Sequence, residues 1–285
     1  MYYNDYTSGG VLSKTLNISK VLTLSKCPPW VFALFFGCIL LGTGKSFGQI
    51  TVGSTTSSTV TNSTTLSFLH TPGAGNNKLL LVAIGTGNTD SNAGGDPPTI
   101  TSVTYDGTPM TLVIASQGDE TRSVLYSLLN PSAGPANVVV TTSSSTVQNG
   151  DPARINASAT TFINVNQTTP LGTPVSVENT GGGTLNLVVS PTTVNDIVYS
   201  AMTVDEGGSI PTITIAGGQT ALSNQSGSAT YTATHSASSY KPGTGGSVTS
   251  TYTFTSQDHS GVAVLVKGIA CTLPNCGTVT LVKNP

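Results

Sequence analysis

The three histidines are the first groups in this sequence that could do chemistry. His70, His235 and His259 are far apart, and none lies in an H-x-H, H-E-x-x-H or Cys-His context. Isolated imidazoles of this kind are more often surface groups or hydrogen-bonded core groups than metal ligands or catalytic bases. The histidines therefore predict neither a metal centre nor an acid–base pair.

The acidic pairs are the next candidates, and they favour the same conclusion. Asp119-Glu120 and Asp205-Glu206 are adjacent pairs in turn contexts, where neighbouring side chains point apart. A glycosidase needs two carboxyl groups about 5–10 Å apart across a cleft, which would require two such loops to meet. We predict that these pairs are solvated loop charges and that the protein is not an enzyme.

One Gly-rich loop has the oxygen-bearing side chains of a calcium site. The segment from Thr89 to Asp96 contains Asp90, Asn92 and Asp96, and hard oxygen ligands of this type suit Ca²⁺. The loop lacks the spacing and the terminal Glu of an EF-hand. Calcium is therefore the one cofactor that the sequence suggests, and an ordinary loop stabilised by Asx turns is the alternative.

Three tyrosines could bind a sugar, because an exposed aromatic ring stacks on a sugar ring beside polar groups. Tyr240 precedes Lys241 in a long loop, and Tyr105 and Tyr126 do not belong clearly to the core pattern. These three residues are the predicted ligand-binding set. The inventory is small, since the only Trp of the chain is Trp30.

The N-terminal 48 residues have the pattern of a secretory signal peptide. Three lysines precede the apolar run from Trp30 to Leu41, and small residues stand at the −3 and −1 positions of a cleavage site before Gln49. The run is shorter than the ~20 apolar residues of a membrane span. We expect export to the extracellular space or cell surface, with no stable membrane span after cleavage.

Export bears on the four cysteines of the chain. Cys27 and Cys38 belong to the predicted signal peptide, which leaves Cys271 and Cys276 in the mature protein. Two cysteines four residues apart in an exported protein favour a local disulfide over zinc, which needs about four ligands.

The composition and the apolar pattern predict an all-β fold. The chain has 47 Thr and 34 Ser, only 8% of its residues are charged, and Val, Ile and Thr favour pleated surfaces over helices. The runs Lys78 to Ile84, Ile197 to Met202 and Val262 to Val266 are apolar on both faces, which is typical of central strands covered on both sides. Asp106-Gly107 favours a type I′ hairpin turn.

Two late segments alternate between apolar and hydroxyl side chains. In Ser247 to Thr255, Val248, Tyr252 and Phe254 share one face with Ser250, and the threonines share the other. In Ser228 to His235, the face with Tyr231 and His235 opposes the face with Thr234. We predict that the two strands lie antiparallel in an outer sheet whose exposed face is lined with Thr.

Roughly a dozen strands with long connections favour a two-sheet antiparallel β-sandwich of jelly-roll type. We assign residues 1–48 to the signal peptide, 49–270 to one β-sandwich domain, and 271–285 to a Cys-bearing linker and the start of a further β module. No period of 20–50 residues recurs, which makes a solenoid or a propeller improbable.

Four segments are similar to the jelly-roll modules of secreted multidomain surface proteins of bacteria. Their common features are a buried strand, a hairpin turn and an Asn-Pro corner, found in Asn77 to Gly85, Ile100 to Met110, Val124 to Pro131 and Ala136 to Val140. The resemblance covers roughly residues 64 to 268 and implies an extracellular, adhesin-like context. It transfers no catalytic residues.

We therefore expect a non-catalytic module for cell-surface adhesion or extracellular structure. Its partners would be surface glycans or other extracellular proteins, bound through the loops Asp90 to Pro98 and Ser236 to Gly246. Nucleic acid is not an expected partner, because 10 basic residues stand against 12 acidic ones. The alternatives are a carbohydrate-binding module of a longer protein or enzyme, and a self-assembling subunit that pairs through Ile50 to Val60.

Overall fold

A computed structural model describes residues 49–88, 95–179, 181–205, 212–225, 234–255 and 258–269. All regular structure in these residues is β-strand, and the pairings between strands are antiparallel. The all-β class predicted from the Thr, Val and Ile content is confirmed.

The first nine strands form two sheets, and we call this pair the first repeat. The strands are β1 (Thr51–Thr61), β2 (Thr65–His70), β3 (Leu79–Asn88), β4 (Ile100–Tyr105), β5 (Thr108–Pro109), β6 (Thr111–Gln117), β7 (Thr121–Leu129), β8 (Ala136–Thr142) and β9 (Ala153–Ile163). The inner sheet has the order β1-β9-β3-β7-β6, and the outer sheet has the order β2-β8-β4-β5.

The remaining strands form two further sheets, the second repeat. They are β10 (Val175–Asn179), β11 (Thr184–Val189), β12 (Ile197–Asp205), β13 (Thr214–Ile215), β14 (Thr220–Gln225), β15 (Thr234–Pro242), β16 (Val248–Thr253) and β17 (Asp258–Val266). The inner sheet has the order β10-β17-β12-β15-β14, and the outer sheet has the order β11-β16-β13.

The two repeats have the same topology. In each inner sheet the first strand of the repeat lies beside the last strand. The third strand of the repeat comes next, and the two strands of a hairpin complete the sheet. Equivalent strands start roughly 110 residues apart, as in β7 and β15. The same fold therefore occurs twice in the chain, at a spacing much longer than the 20–50 residues of solenoid and propeller repeats.

Three hydrophobic cores separate the four sheets. Leu80 and Tyr105 belong to the core between the sheets of the first repeat, and Val198 and Tyr252 to the core of the second. The middle core lies between the two inner sheets and contains residues such as Leu81 and Tyr199. Because the inner sheets are covered on both faces, their central strands are buried throughout, as the apolar runs predicted.

The two inner sheets pack face to face with pseudo-twofold symmetry. β3 lies against β12, β7 against β17 and β9 against β15, so exchanging the repeats leaves these pairings unchanged. The hydrogen bonds between the two inner sheets show the same pseudo-twofold symmetry. Ser123 and Ser260 bond across the interface at 3.0 Å, and their counterparts Ser236 and Asn156 bond at 3.3 Å. The packing resembles that of a homodimer whose subunits share one chain.

Two local predictions are confirmed. Asp106 and Gly107 have φ of 51° and 73°, and the hairpin pairs Tyr105 with Thr108, as a type I′ turn requires. β16 buries Val248, Ser250 and Tyr252 and turns its threonines outward. Thr184 and Thr214 flank Thr253 on the same outer sheet, which gives this sheet the predicted Thr-lined face.

Three predictions are corrected. The β-sandwich class holds, but the chain has four sheets rather than two, because the pattern was duplicated. Thr234 is fully buried, since β15 belongs to an inner sheet that is covered on both faces. β15 and β16 are not paired in one sheet, because the connection between them crosses from the inner to the outer sheet of the second repeat. Tyr231 lies outside the described residues.

The described segments contain no helix long and apolar enough to cross a membrane. The predicted signal peptide and the segment 271–285 fall outside the described residues. Both repeats belong to one compact unit.

Candidate ligand-binding site at one end of the repeats

The first and last described segments meet at the same end of the two repeats. The Asn164 side chain donates a hydrogen bond to the carbonyl oxygen of Gln49 at 3.3 Å, and the amide of Ile269 donates to the Asn164 carbonyl oxygen at 3.4 Å. We call this end the base. The opposite end, the tip, carries the loops at 62–64, 95–99, 118–120, 143–152 and 254–257 so far as they are described.

Charge is distributed unequally between the two ends. Seven of the nine described carboxylates lie at the tip: Asp96, Asp119, Glu120, Asp151, Glu178, Asp205 and Asp258. The three described lysines lie at the base: Lys78, Lys241 and Lys267. The strand registers place them there, since Gly87 pairs with Thr121 at the tip while Leu79 pairs with Leu129 at the base. Both arginines, Arg122 and Arg154, also lie at the tip, but the carboxylates outnumber them and leave this end electronegative.

Carboxyl groups from the two repeats approach one another at the tip. Burial raises the pKa of Glu120, and the charges of Asp258 and Asp119 raise it further. Burial likewise raises the pKa of Asp258, with a contribution from Asp119 that is partly opposed by His259. The loop charges predicted at Asp119-Glu120 thus face a carboxylate of the second repeat rather than solvent alone.

A groove of about 530 Å³ opens at the tip of the first repeat. It lies where the inner and outer sheets of that repeat separate, at the end of their shared core. Loops that follow or precede four strands contribute to its walls. The lining residues are Asp96, Pro97, Pro98, Thr99, Gln117, Arg122, Ser143, Ser144, Thr146, Val147 and Gln148.

A chain of hydrogen bonds fixes three planar side chains in this groove. The Gln117 amide nitrogen donates to Oδ1 of Asp96 at 3.1 Å, and Arg122 donates to Oε1 of Gln117 and to the Pro97 carbonyl oxygen. Burial lowers the pKa of Arg122, and the nearby Asp96 carboxylate opposes this shift. Gln117 and Arg122 face each other at the turn of the β6–β7 hairpin, which sets their spacing.

The groove combines one positive and one negative side chain with amides and hydroxyls. Asp96 is the one carboxylate among the described lining residues, so the pair of acids that glycoside hydrolysis uses is not found there. Planar Arg, Gln and Asp groups donate and accept hydrogen bonds in fixed directions. The arrangement is suited to binding a polar ligand.

The predicted ligand-binding tyrosines do not lie in this groove. Tyr105 is fully buried and its hydroxyl donates to the Gly134 carbonyl oxygen at 3.0 Å, while Tyr126 is only 8% exposed in the same core. Tyr240 is partly buried at the base, where it packs against the middle core. The expectation for Tyr105 and Tyr126 is therefore corrected, because neither ring has a free face for a sugar.

The two predicted binding loops lie at opposite ends. Pro97 and Pro98 at the end of the first loop are part of the tip groove, whereas β15 continues to Pro242 and the described connection after it is at the base. The difference arises because β15 runs from tip to base. The described parts of the two loops therefore do not form a single site.

The calcium and disulfide predictions fall largely outside the described residues. Asp90, Asn92, Cys271 and Cys276 are not described, whereas Asp96 is exposed and bonds to Gln117. Within the described part of the chain, no group of three or more His, Cys, Asp or Glu side chains is arranged to hold a metal ion.

All three histidines are buried core groups. His70 has both ring nitrogens 2.8 Å from hydroxyls, those of Thr56 and Thr161, and the His259 ring packs edge-on against Phe254 at 4.8 Å. His235 is 4% exposed in β15. The prediction of hydrogen-bonded core imidazoles is confirmed for His70.

Lowering the pH from about 6.5 to about 4 is expected to destabilise the protein through His70. Burial lowers the pKa of His70 from 6.5 to about 4, so the folded state keeps the ring neutral while the unfolded chain binds a proton. Stability from this group is complete above pH 6.5 and decreases as the pH falls, by at most about 1.4 kcal/mol per pH unit. Denaturant unfolding of the wild type and of His70→Gln at several pH values measures the effect.

The His70→Gln variant should lose less stability than the wild type over this pH range. Glu120 and Asp258 have raised pKa values, so their protonation favours the folded state as the pH falls, but they are present in both proteins and cancel. Parallel pH profiles for the two proteins would contradict the assignment.

Comparison with models of protein families gives no match, and comparison with curated proteins gives none either.

Two residues of the tip groove, Gln117 and Arg122, were not predicted from the sequence. The one signal in the sequence was scarcity, since Arg122 and Arg154 are the only arginines of the chain.

Proposed function

We propose that this chain is an exported, non-catalytic binding module that acts in cell-surface adhesion or extracellular structure. The observation that carries the proposal is the position of the groove. The two ends of the described chain meet at the base, so a connection to neighbouring segments leaves from one end, and the groove lies at the other. A partner at the tip is then reached without obstruction from the attachment.

The N-terminal pattern supports export. The predicted cleavage site before Gln49 lies two residues ahead of β1, so cleavage there would leave every described strand intact. Disulfide formation between Cys271 and Cys276 would follow from the same compartment.

We also propose that each repeat is a jelly roll of the kind found in bacterial surface proteins. The strand order supports this, because the first and last strands of each repeat are neighbours in one sheet and the second and next-to-last strands are neighbours in the other. The segment that contains β5 and β6 passes from the outer sheet to the inner sheet of the first repeat.

The self-assembly alternative has less support. β1 pairs with β9 within the chain, so the segment Ile50 to Val60 is not an unpaired donor strand. The other edge of β1 is approached by the Gln225 side chain, which donates to the Ser58 carbonyl oxygen at 2.7 Å. Bonds of this kind protect edge strands from pairing with other chains.

Blocking each groove in turn tests the proposal. A second groove of about 540 Å³ at the base, lined in part by Asn195, provides a matched control. The full chain would be applied to immobilised glycans and extracellular proteins. We expect Gln148→Trp at the tip to reduce binding at least tenfold and Asn195→Trp at the base to leave it unchanged. Equal binding by both variants, or no binding to either class of surface, would refute the proposal.

A further inference from the structure

We infer that the tip groove binds a neutral polyhydroxy ligand, such as the end of a neutral oligosaccharide. The inference rests on the proposed function and names the class of partner. The groove is open to solvent and has a volume of about 530 Å³, so it would enclose only part of such a ligand.

The charge balance of the groove favours a neutral ligand. One guanidinium and one carboxylate face the cavity, and Gln117 connects them through hydrogen bonds. An anionic ligand would have to approach a tip where seven carboxylates outnumber two arginines, and a cation bound in the groove would lie against the Arg122 guanidinium. A neutral ligand with several hydroxyl groups meets neither obstacle.

The walls of the groove carry both hydrogen-bond donors and acceptors, as the binding of a hydroxyl-rich ligand requires. Arg122 and Gln117 donate hydrogen bonds, Asp96 accepts them, and the hydroxyls of Ser143, Ser144 and Thr146 do both. Nε of Arg122 is buried and has no hydrogen-bond partner among the described residues. A site whose polar groups are held in place before binding avoids part of the entropy cost of ordering them.

The second repeat has different side chains at two positions that correspond to the groove region of the first. Arg122 pairs with Thr86 in β3, and the equivalent residue opposite Val204 in β12 is the buried His235. Thr142, beside the groove, corresponds by strand register to Phe254, whose ring packs on His259. Where the first repeat has a guanidinium and a hydroxyl, these described residues of the second repeat therefore carry buried aromatic rings.

Titration of the full chain with methyl glycosides, followed by chemical-shift changes in NMR spectra, tests the inference. The probes are the methyl glycosides of glucose, galactose and mannose, with glucuronic acid as the anionic counterpart. We expect a neutral glycoside to shift groove resonances, and we expect Arg122→Ala to weaken binding at least tenfold. Lys241→Ala at the base is the control and should bind as the wild type does.

Asp96→Asn gives a second readout in case Arg122→Ala does not fold. Asp96 is exposed, so the substitution should preserve the fold while leaving the charge of Arg122 unbalanced. We expect weaker binding of the neutral glycoside and tighter binding of glucuronic acid. No shift with any neutral glycoside, or tighter binding of glucuronic acid by the wild type, would overturn the inference.

The outcomes separate this inference from the proposed function. Tip-dependent binding to protein-coated surfaces without a response to any glycoside would refute the ligand class alone. Loss of both responses in the wild type would refute the binding function itself.

Discussion

Phe162→Ala is expected to lower the free energy of unfolding by about 3–5 kcal/mol. Phe162 is fully buried near the end of β9, in the middle core between the two repeats. Its ring meets that of Tyr199 edge to face at 5.9 Å, so the contact joins the first repeat to the second. Truncation would leave a cavity that both inner sheets line and that neither can fill without moving the other.

Equilibrium unfolding in denaturant, monitored by circular dichroism, measures this effect. Leu112→Ala is the matched control, because Leu112 is 52% exposed and its removal should change the stability by about 0.5 kcal/mol or less. Similar losses for the two variants would show that the middle core does not hold the repeats together.

Gly85→Val is expected to lower the free energy of unfolding by about 3 kcal/mol, through overpacking of the same interface. A Cβ atom at Gly85 would stand 2.1 Å from Oγ of Ser236 and 2.2 Å from Oγ1 of Thr203. Both atoms belong to the second repeat, and Thr203 also accepts a hydrogen bond from Ser123 at 3.0 Å. The added side chain must therefore separate the inner sheets and break this polar layer.

Gly217→Ala is the control for the second prediction, because a Cβ atom there meets nothing within 4 Å. A double-mutant cycle of Gly85→Ala with Ser236→Ala identifies the contact, since removal of the Ser236 hydroxyl should recover part of the loss. Coupling between contacting residues is about 0.5–3 kcal/mol. Strict additivity would mean that the strain lies elsewhere.

The buried polar layer explains how two similar repeats find one arrangement. Ser123, Asn156, Thr203, Ser236 and Ser260 are all at most 9% exposed and bond to one another across or within the inner sheets. A shift of one inner sheet against the other would leave these polar groups without hydrogen-bond partners, which costs about 1–3 kcal/mol for each group. Apolar contacts at the base end of the same interface provide the attraction, and the hydroxyls determine the register.

Local sequence determined much of the fold. Alternation in Ser247 to Thr255 predicted both faces of β16, because successive side chains of a strand point in opposite directions. Continuous apolar runs predicted the central strands β3, β12 and β17. Asp106-Gly107 predicted its turn, because few residues other than Gly, Asn and Asp tolerate positive φ.

Only the tertiary structure decided which surfaces are free. Thr234 has the alternation of an exposed residue but is buried against the first repeat, and Tyr105 and Tyr126 are core residues because the facing sheet of their own repeat covers them. The groove was hidden for a similar reason: Asp96, the β6–β7 hairpin with Gln117 and Arg122, and Ser143 belong to three separate segments that meet only when β4, β6, β7 and β8 are in place. Sequence periodicity fixes the two faces of a strand, but what covers each face depends on other strands, which lie elsewhere in the same repeat or in the other repeat.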